Sequence, residues 1–153
     1  MKKLWVLAFS VLSACQVATG AQYSGGSGAG VAVSTNTGAA FSTPYGTRVY
    51  QVDANIFEVV PYPLAGRDEY WCGASDYARR RLGAAWSQQI YMASKTVRSA
   101  AAGGRTAVQF TLNPQAIGLE PVDVNVRTGL IIGDHMTVQR ANGFCQPFPP
   151  LFF

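Results

Sequence analysis

Cys72 and Cys145 stand 73 residues apart in a chain whose N-terminus reads as an address out of the cytoplasm, and that combination constrains the fold more than any other feature. The opening MKKLWVLAFSVLSAC sets two lysines before an apolar run, Leu4 to Leu12, interrupted only by Ser10. This is the layout of a bacterial export signal, too short to span a bilayer permanently. The expected destination is the periplasm or envelope of a Gram-negative bacterium, where disulfides form and persist.

Two exits from the signal are open, together delimiting a segment of residues 1–21. Leu12-Ser13-Ala14-Cys15 resembles a lipobox, in which Cys15 would be acylated and become the first mature residue. The small residues at 18–21 offer ordinary cleavage near 20–22 instead. Either exit removes Cys15 from the thiol count, by cleavage or by lipidation. An odd number of cysteines becomes an even one, and a Cys72–Cys145 bridge is expected.

The charge changes in the same way. The full chain carries twelve basic and eight acidic residues, a net +4. Lys2 and Lys3 leave with the signal, so ten basic residues face eight acidic ones in the mature chain. With charged residues at only 13% of the whole, no specific nucleic-acid partner is expected. The remainder, about 130 residues, is enough for one core and not for two.

Residues 22–47 are rich in Gly, Ser, Ala and Thr, with no large apolar side chain between Tyr23 and Phe41 apart from two valines. Such a stretch buries too little surface to offset its ordering entropy and reads as a flexible linker. The folded domain is expected over 48–146. RVYQVDANIFEVVPYP has the β-branched and aromatic content of a strand or hairpin, ended by Pro61 and Pro63. A helix is predicted at about 72–82, with Ala74, Tyr77, Ala78 and Leu82 on one face, arginines in its last turn and Gly83 as its cap. WSQQIYMASKTV and TAVQFTLNP read as two strands joined by a loose tip, and Val122, Val124 and Val126 alternate as in a short strand. A weaker second helix is expected at about 134–144 with Asp134 as N-cap, in competition with a strand across Leu130–Val138. The tail at 147–153, PFPPLFF, has too many prolines for a helix or a central strand. The fold class is therefore α+β: a small, mostly antiparallel sheet with one clear helix, one weaker helix and a disulfide link.

Few constellations carry chemistry. Cys72 at a helix start could be a thiolate stabilised by free N–H groups, with His135, the only histidine, as its base. That dyad would suit a small papain-like cysteine hydrolase of cell-wall peptides. It lacks the Cys-Gly-Ser-Cys-Trp pattern of papain-type enzymes and a preceding glutamine for an oxyanion hole. One thiol cannot serve both as nucleophile and as half of a bridge, and the bridge is the expectation. Arg79, Arg80 and Arg81 have a structural role at a helix end, and with Lys95, Arg98 and Arg105 they form a candidate binding site for an anionic polymer. The histidine and two paired cysteines cannot close a zinc site, so no metal and no cofactor is expected. Glu58, Asp68, Glu69, Asp76, Glu120, Asp123 and Asp134 read as ordinary surface acids, with no spacing that singles out a catalytic pair. Tyr70-Trp71 beside Cys72 could offer a platform for stacking a sugar ring.

At YWCGASDYA, with its helix, the strand pair behind it and the late RANGFC, the chain resembles an uncharacterised family of small exported proteins of alphaproteobacteria. The resemblance covers residues 48–146. It implies an exported α+β domain bridged through Cys72 and Cys145, and it implies no activity. The expected function is a non-catalytic envelope domain, periplasmic or lipid-anchored, that binds or scaffolds an unknown envelope partner or ligand. Its only expected contact with the membrane is the lipid at Cys15.

Overall fold

In the computed structural model, the chain runs through β1 (Val33–Ser34), β2 (Phe41–Ser42), β3 (Arg48–Gln51), β4 (Ile56–Val60) and α1 (Asp68–Arg80). It continues through β5 (Gln89–Ser99), β6 (Arg105–Thr111), a 3-10 turn at Gln115–Ile117, β7 (His135–Thr137) and α2 (Val138–Asn142). The structure describes residues 38–123 and 130–145, with the backbone of 33 and 34. The expected export signal, Cys15, much of the linker, Val124 and Val126, and the 147–153 tail lie outside the described residues.

The sheet order is β1-β5-β6-β4-β3-β2, and β7 pairs with the first part of β5. All pairings are antiparallel except the short parallel contact of β1 with β5. Both expected hairpins form. The β3–β4 turn is closed by the Asp53 carboxylate, which accepts the Asn55 and Ile56 N–H groups at 2.7 and 2.8 Å. The β5–β6 tip turns through Gly103 and Gly104, whose φ of +64° and +80° only glycine adopts at no steric cost. A bulge in β5 between Met92 and Thr96 is stitched by Ser94, whose Oγ accepts the Gln109 N–H at 3.0 Å.

Strand period two sorts the sheet into faces. Val49, Phe57, Val59, Ile90, Met92, Val108, Phe110 and Met136 pack with Trp71, Ala74, Tyr77 and Ala78 of α1 in the main core. On the opposite face, Tyr50, Val60, Val97 and Ala107 form a smaller cluster, with Ala101 and Ala102 of the hairpin tip packed against it. β4 is therefore covered on both sides, which explains why Phe57 to Val60 are buried without alternation.

Four boundaries differ from the sequence expectation. The domain starts earlier than Arg48: Phe41 and Ser42 pair with β3, and Phe41 packs edge-on against Tyr77 at 5.3 Å. Within the expected linker, Thr43 Oγ1 accepts the Thr47 N–H at 3.1 Å, and both threonines are buried. The first helix begins at Asp68, one turn before Cys72, with Asp68 and Glu69 complementing the dipole in its first turn. Its end falls at Arg80, so Leu82 lies past the helix and is exposed, while Gly83 (φ +70°) lets the Ala84 N–H reach the Ala78 carbonyl at 2.9 Å. The region of the second helix is divided, with strand over His135–Thr137 and helix only over Val138–Asn142. Its N-cap is Thr137, whose Oγ1 accepts the Arg140 N–H at 3.2 Å, rather than Asp134.

α1 lies close on the sheet because Gly73 has no side chain. A Cβ there would stand 2.6 Å from Thr47 Cγ2 and 2.7 Å from Val59 Cγ1, two β-branched side chains with little freedom to turn aside. Gly73→Ala gains about 1 kcal/mol of helix propensity and loses about 1–3 kcal/mol to overpacking. The expected result is a net loss of stability, read as a lower urea midpoint. A midpoint that stays or rises would mean that the helix is not held at this distance.

Candidate functional site

Cys72 is bonded to Cys145, with Cα atoms 4.8 Å apart. The bridge joins the second turn of α1 to the residue three past α2. Ser75 braces it, donating its Oγ–H to the Cys72 carbonyl at 2.9 Å with its Oγ 3.9 Å from Cys145 Sγ. Cys72 is fully buried and lies inside the helix, so neither the free N–H groups of a helix start nor solvent reaches its sulfur.

His135 lies on the other side of the sheet. It pairs with Tyr91, and the next pair, Met136 with Ile90, points into the core beneath α1. Alternation then directs His135 and Tyr91 away from the helix that carries Cys72. The imidazole stacks on the Tyr91 ring at 5.2 Å and places Nε2 3.7 Å from Asp123 Oδ1. The Cys72/His135 dyad is thus not assembled: its sulfur is in a disulfide and its two members occupy opposite faces.

Beside the bridge is a cavity of about 220 Å³ lined by Arg67, Asp68, Trp71, Leu130, Asp134, Met136 and Phe144. Arg67, Asp68 and Trp71 come from the start of α1, Met136 from β7, and Phe144 from the turn after α2. Trp71 precedes Cys72 and Phe144 precedes Cys145, so the disulfide fixes the two aromatic walls relative to each other. The Trp71 ring is seated edge-on against Phe110 at 5.1 Å. Asp134, almost fully buried at 2% exposure, gives the wall a polar group. Of the aromatic pair read as a sugar platform, Trp71 reaches this cavity while Tyr70 is buried in the core.

The six basic residues do not form one patch. Arg79 donates to the Ala84 carbonyl and lies 4.5 Å over the Trp86 ring. Arg80 pairs with Asp76 at 2.9 Å and sits 5.1 Å over Phe41, and Arg81 approaches the Tyr77 hydroxyl. Arg105 donates to the Pro61 carbonyl and lies near Tyr70 in the first turn of α1, and Arg98 donates to the Gly104 carbonyl at the β5–β6 tip. Tyr70 and Arg79 stand nine residues apart on α1, about 14 Å along its axis, so Arg105 and the arginine triplet lie toward opposite ends of the helix. Lys95 is exposed on the β5 bulge.

Three of the acids read as surface residues are buried: Glu58, Asp76 and Asp134. Glu58 accepts the Ser99 hydroxyl at 2.6 Å, and Ser99 Oγ accepts the Ala102 N–H at 3.0 Å, so the carboxylate ties the hairpin tip to β4. Its place in the apolar run IFEVV was the available signal. A charged residue amid consecutive β-branched and aromatic ones implies a strand covered on both faces. For the cavity, Arg67 and Phe144 carried no signal, because they come from segments far apart in sequence and line one cavity only in the folded chain.

Tyr77 and Tyr70 provide a pH test. Burial raises both phenols above the ordinary value of 10.0, with Arg81 and Arg105 respectively pulling part of the way back. The folded state then holds protons that the unfolded state has lost, so stability is full below pH 10 and declines as pH rises above it. Tyr77 also donates a hydrogen bond to Gln51. Tyr77→Phe should cost about 1 kcal/mol at pH 7 and show a shallower decline between pH 10 and 11. Urea midpoints measured from pH 7 to 11 check both; an unchanged alkaline slope would contradict the assignment.

Compared with known proteins, the chain matches no protein-family model, no curated protein and no solved structure.

Proposed function

We propose that this chain is an exported, non-catalytic envelope domain, periplasmic or lipid-anchored at Cys15, that binds a small group in the cavity beside its disulfide. The observation that carries the reading is the cavity itself: apolar walls from Trp71, Leu130, Met136 and Phe144, with charge supplied by Arg67, Asp68 and Asp134. Concave apolar sites with a few convergent polar groups are the usual form of a binding site. At about 220 Å³ it is smaller than the pockets that enclose a whole drug-sized ligand, about 300–1,000 Å³. It suits one unit of a larger molecule, such as a single sugar or amino-acid residue.

The disulfide supports an oxidising compartment. The YWCGASDYA motif and the second cysteine support placing the chain with the exported alphaproteobacterial family it resembles.

The test is a titration with N-acetylated amino sugars and with short cell-wall peptides, followed through the indole N–H signal of Trp71 by NMR. One of these classes should move the signal saturably. Leu130→Trp, which fills the cavity from a half-buried position, should weaken binding more than tenfold without lowering the melting temperature. An unmoved Trp71 signal with both ligand classes, or binding unchanged by Leu130→Trp, would remove the cavity as the site.

A further inference from the structure

A second surface lies at the C-terminal end of α1 and does not depend on the cavity. Leu82 is 41% exposed and Trp86 46% exposed, both in the loop that leads to β5. Trp86 does not swing freely: the Arg79 guanidinium covers one face of its ring, and Arg79 is itself tied to the Ala84 carbonyl. The Gln139 N–H donates to the Trp86 carbonyl at 3.0 Å, which brings α2 and the exposed Arg140 alongside.

Charge on this end is one-sided. Arg79, Arg80, Arg81 and Arg140 gather around the loop, and among the described residues only Arg80 of these is matched by an acid, Asp76. Asp53, at the nearby β3–β4 turn, has its carboxylate engaged by two backbone N–H groups. Capping the helix dipole accounts for one or two of these cations and leaves the leucine and the indole unexplained.

We propose that Leu82, Trp86, Arg79, Arg81 and Arg140 form a docking surface for an anionic lipid bilayer. A soluble polyanion would call for the arginines alone. A membrane interface calls for all three kinds of side chain: arginines at the phosphates, an indole at the boundary between headgroups and chains, and a leucine below it. A stable membrane anchor takes two signals, commonly an acyl chain and a basic patch. If Cys15 is acylated, this end of the domain supplies the second.

The test uses the full chain carrying Cys15→Ser, so that no acyl group contributes, with vesicles of phosphatidylcholine with and without phosphatidylglycerol. Lys2→Gln and Lys3→Gln are added so that the apolar N-terminal run carries no side-chain charge to favour anionic lipid, and the difference between the two vesicle types then reads the patch. Partitioning should be at least about tenfold stronger on the anionic vesicles, with each arginine contributing about fivefold. Arg81→Glu combined with Arg140→Glu should abolish that preference with only a small fall in melting temperature, since both side chains are exposed and the loss is confined to the Arg81 contact with the helix end and Tyr77. Brominated lipid should quench a component of the fluorescence that Trp86→Phe lacks. Equal partitioning onto both vesicle types, or a preference that survives the double substitution, would overturn the proposal. So would retention on a soluble polyanion without quenching of Trp86, which would make the partner a polymer and not a membrane.

Discussion

The Cys72–Cys145 bridge is the constraint from which the rest of the structure follows. α2 is only five residues long, below the length at which a helix holds itself together in water, and its position is set by β7 before it and the disulfide after it. A bridge closing a loop of 73 residues restricts the unfolded chain enough to stabilise the fold by about 4 kcal/mol in the chain-entropy treatment. For a domain of this size that is a large share of the whole. The bridge also has a chemical consequence. It occupies the sulfur that would otherwise invite a nucleophilic reading, and it brings Trp71 and Phe144 together as walls of one cavity.

The motif around Cys72 is explained residue by residue as packing. Glu69 accepts a hydrogen bond from the Tyr62 hydroxyl at 3.2 Å, Tyr70 and Trp71 enter the core, and Gly73 permits close approach to the sheet. Ser75 braces the bridge, Asp76 holds Arg80, and Tyr77 reaches Gln51. A short segment so rich in distinct side chains can look like an active site. Here Glu69, Tyr70, Trp71, Cys72 and Tyr77 join the helix to other parts of the fold, while Ser75 and Asp76 bond within it.

Legibility in the sequence followed the range of the interactions. Hairpins, the arginine-rich last turn of α1 with the left-handed Gly83 after it, and the strand end at Pro61 and Pro63 were readable because their causes are local, although the helix itself stops at Arg80, short of Leu82. The start of α1 was misplaced because Arg67 supplies no side-chain cap, although Asp68 and Glu69 mark the true first turn. The strand formed by Phe41 and Ser42 was hidden because its stability comes from β3 and from Tyr77, 36 positions along the chain from Phe41. Glu58 resembled a surface acid by its charge, although the apolar run IFEVV around it marks a strand covered on both faces. The pairing of the cysteines was readable from their count, while the cavity they shape was not, since its walls come from segments distant in sequence.

The most direct measurement is the intact mass of the protein isolated from its native cells, alkylated with and without prior reduction. A bridged Cys72 and Cys145 take up no label until reduced, and reduction then lowers the melting temperature and loosens the cavity walls together. If Cys72 alkylates rapidly near neutral pH without reduction, the bridge is not the organising constraint and the thiol is available for chemistry.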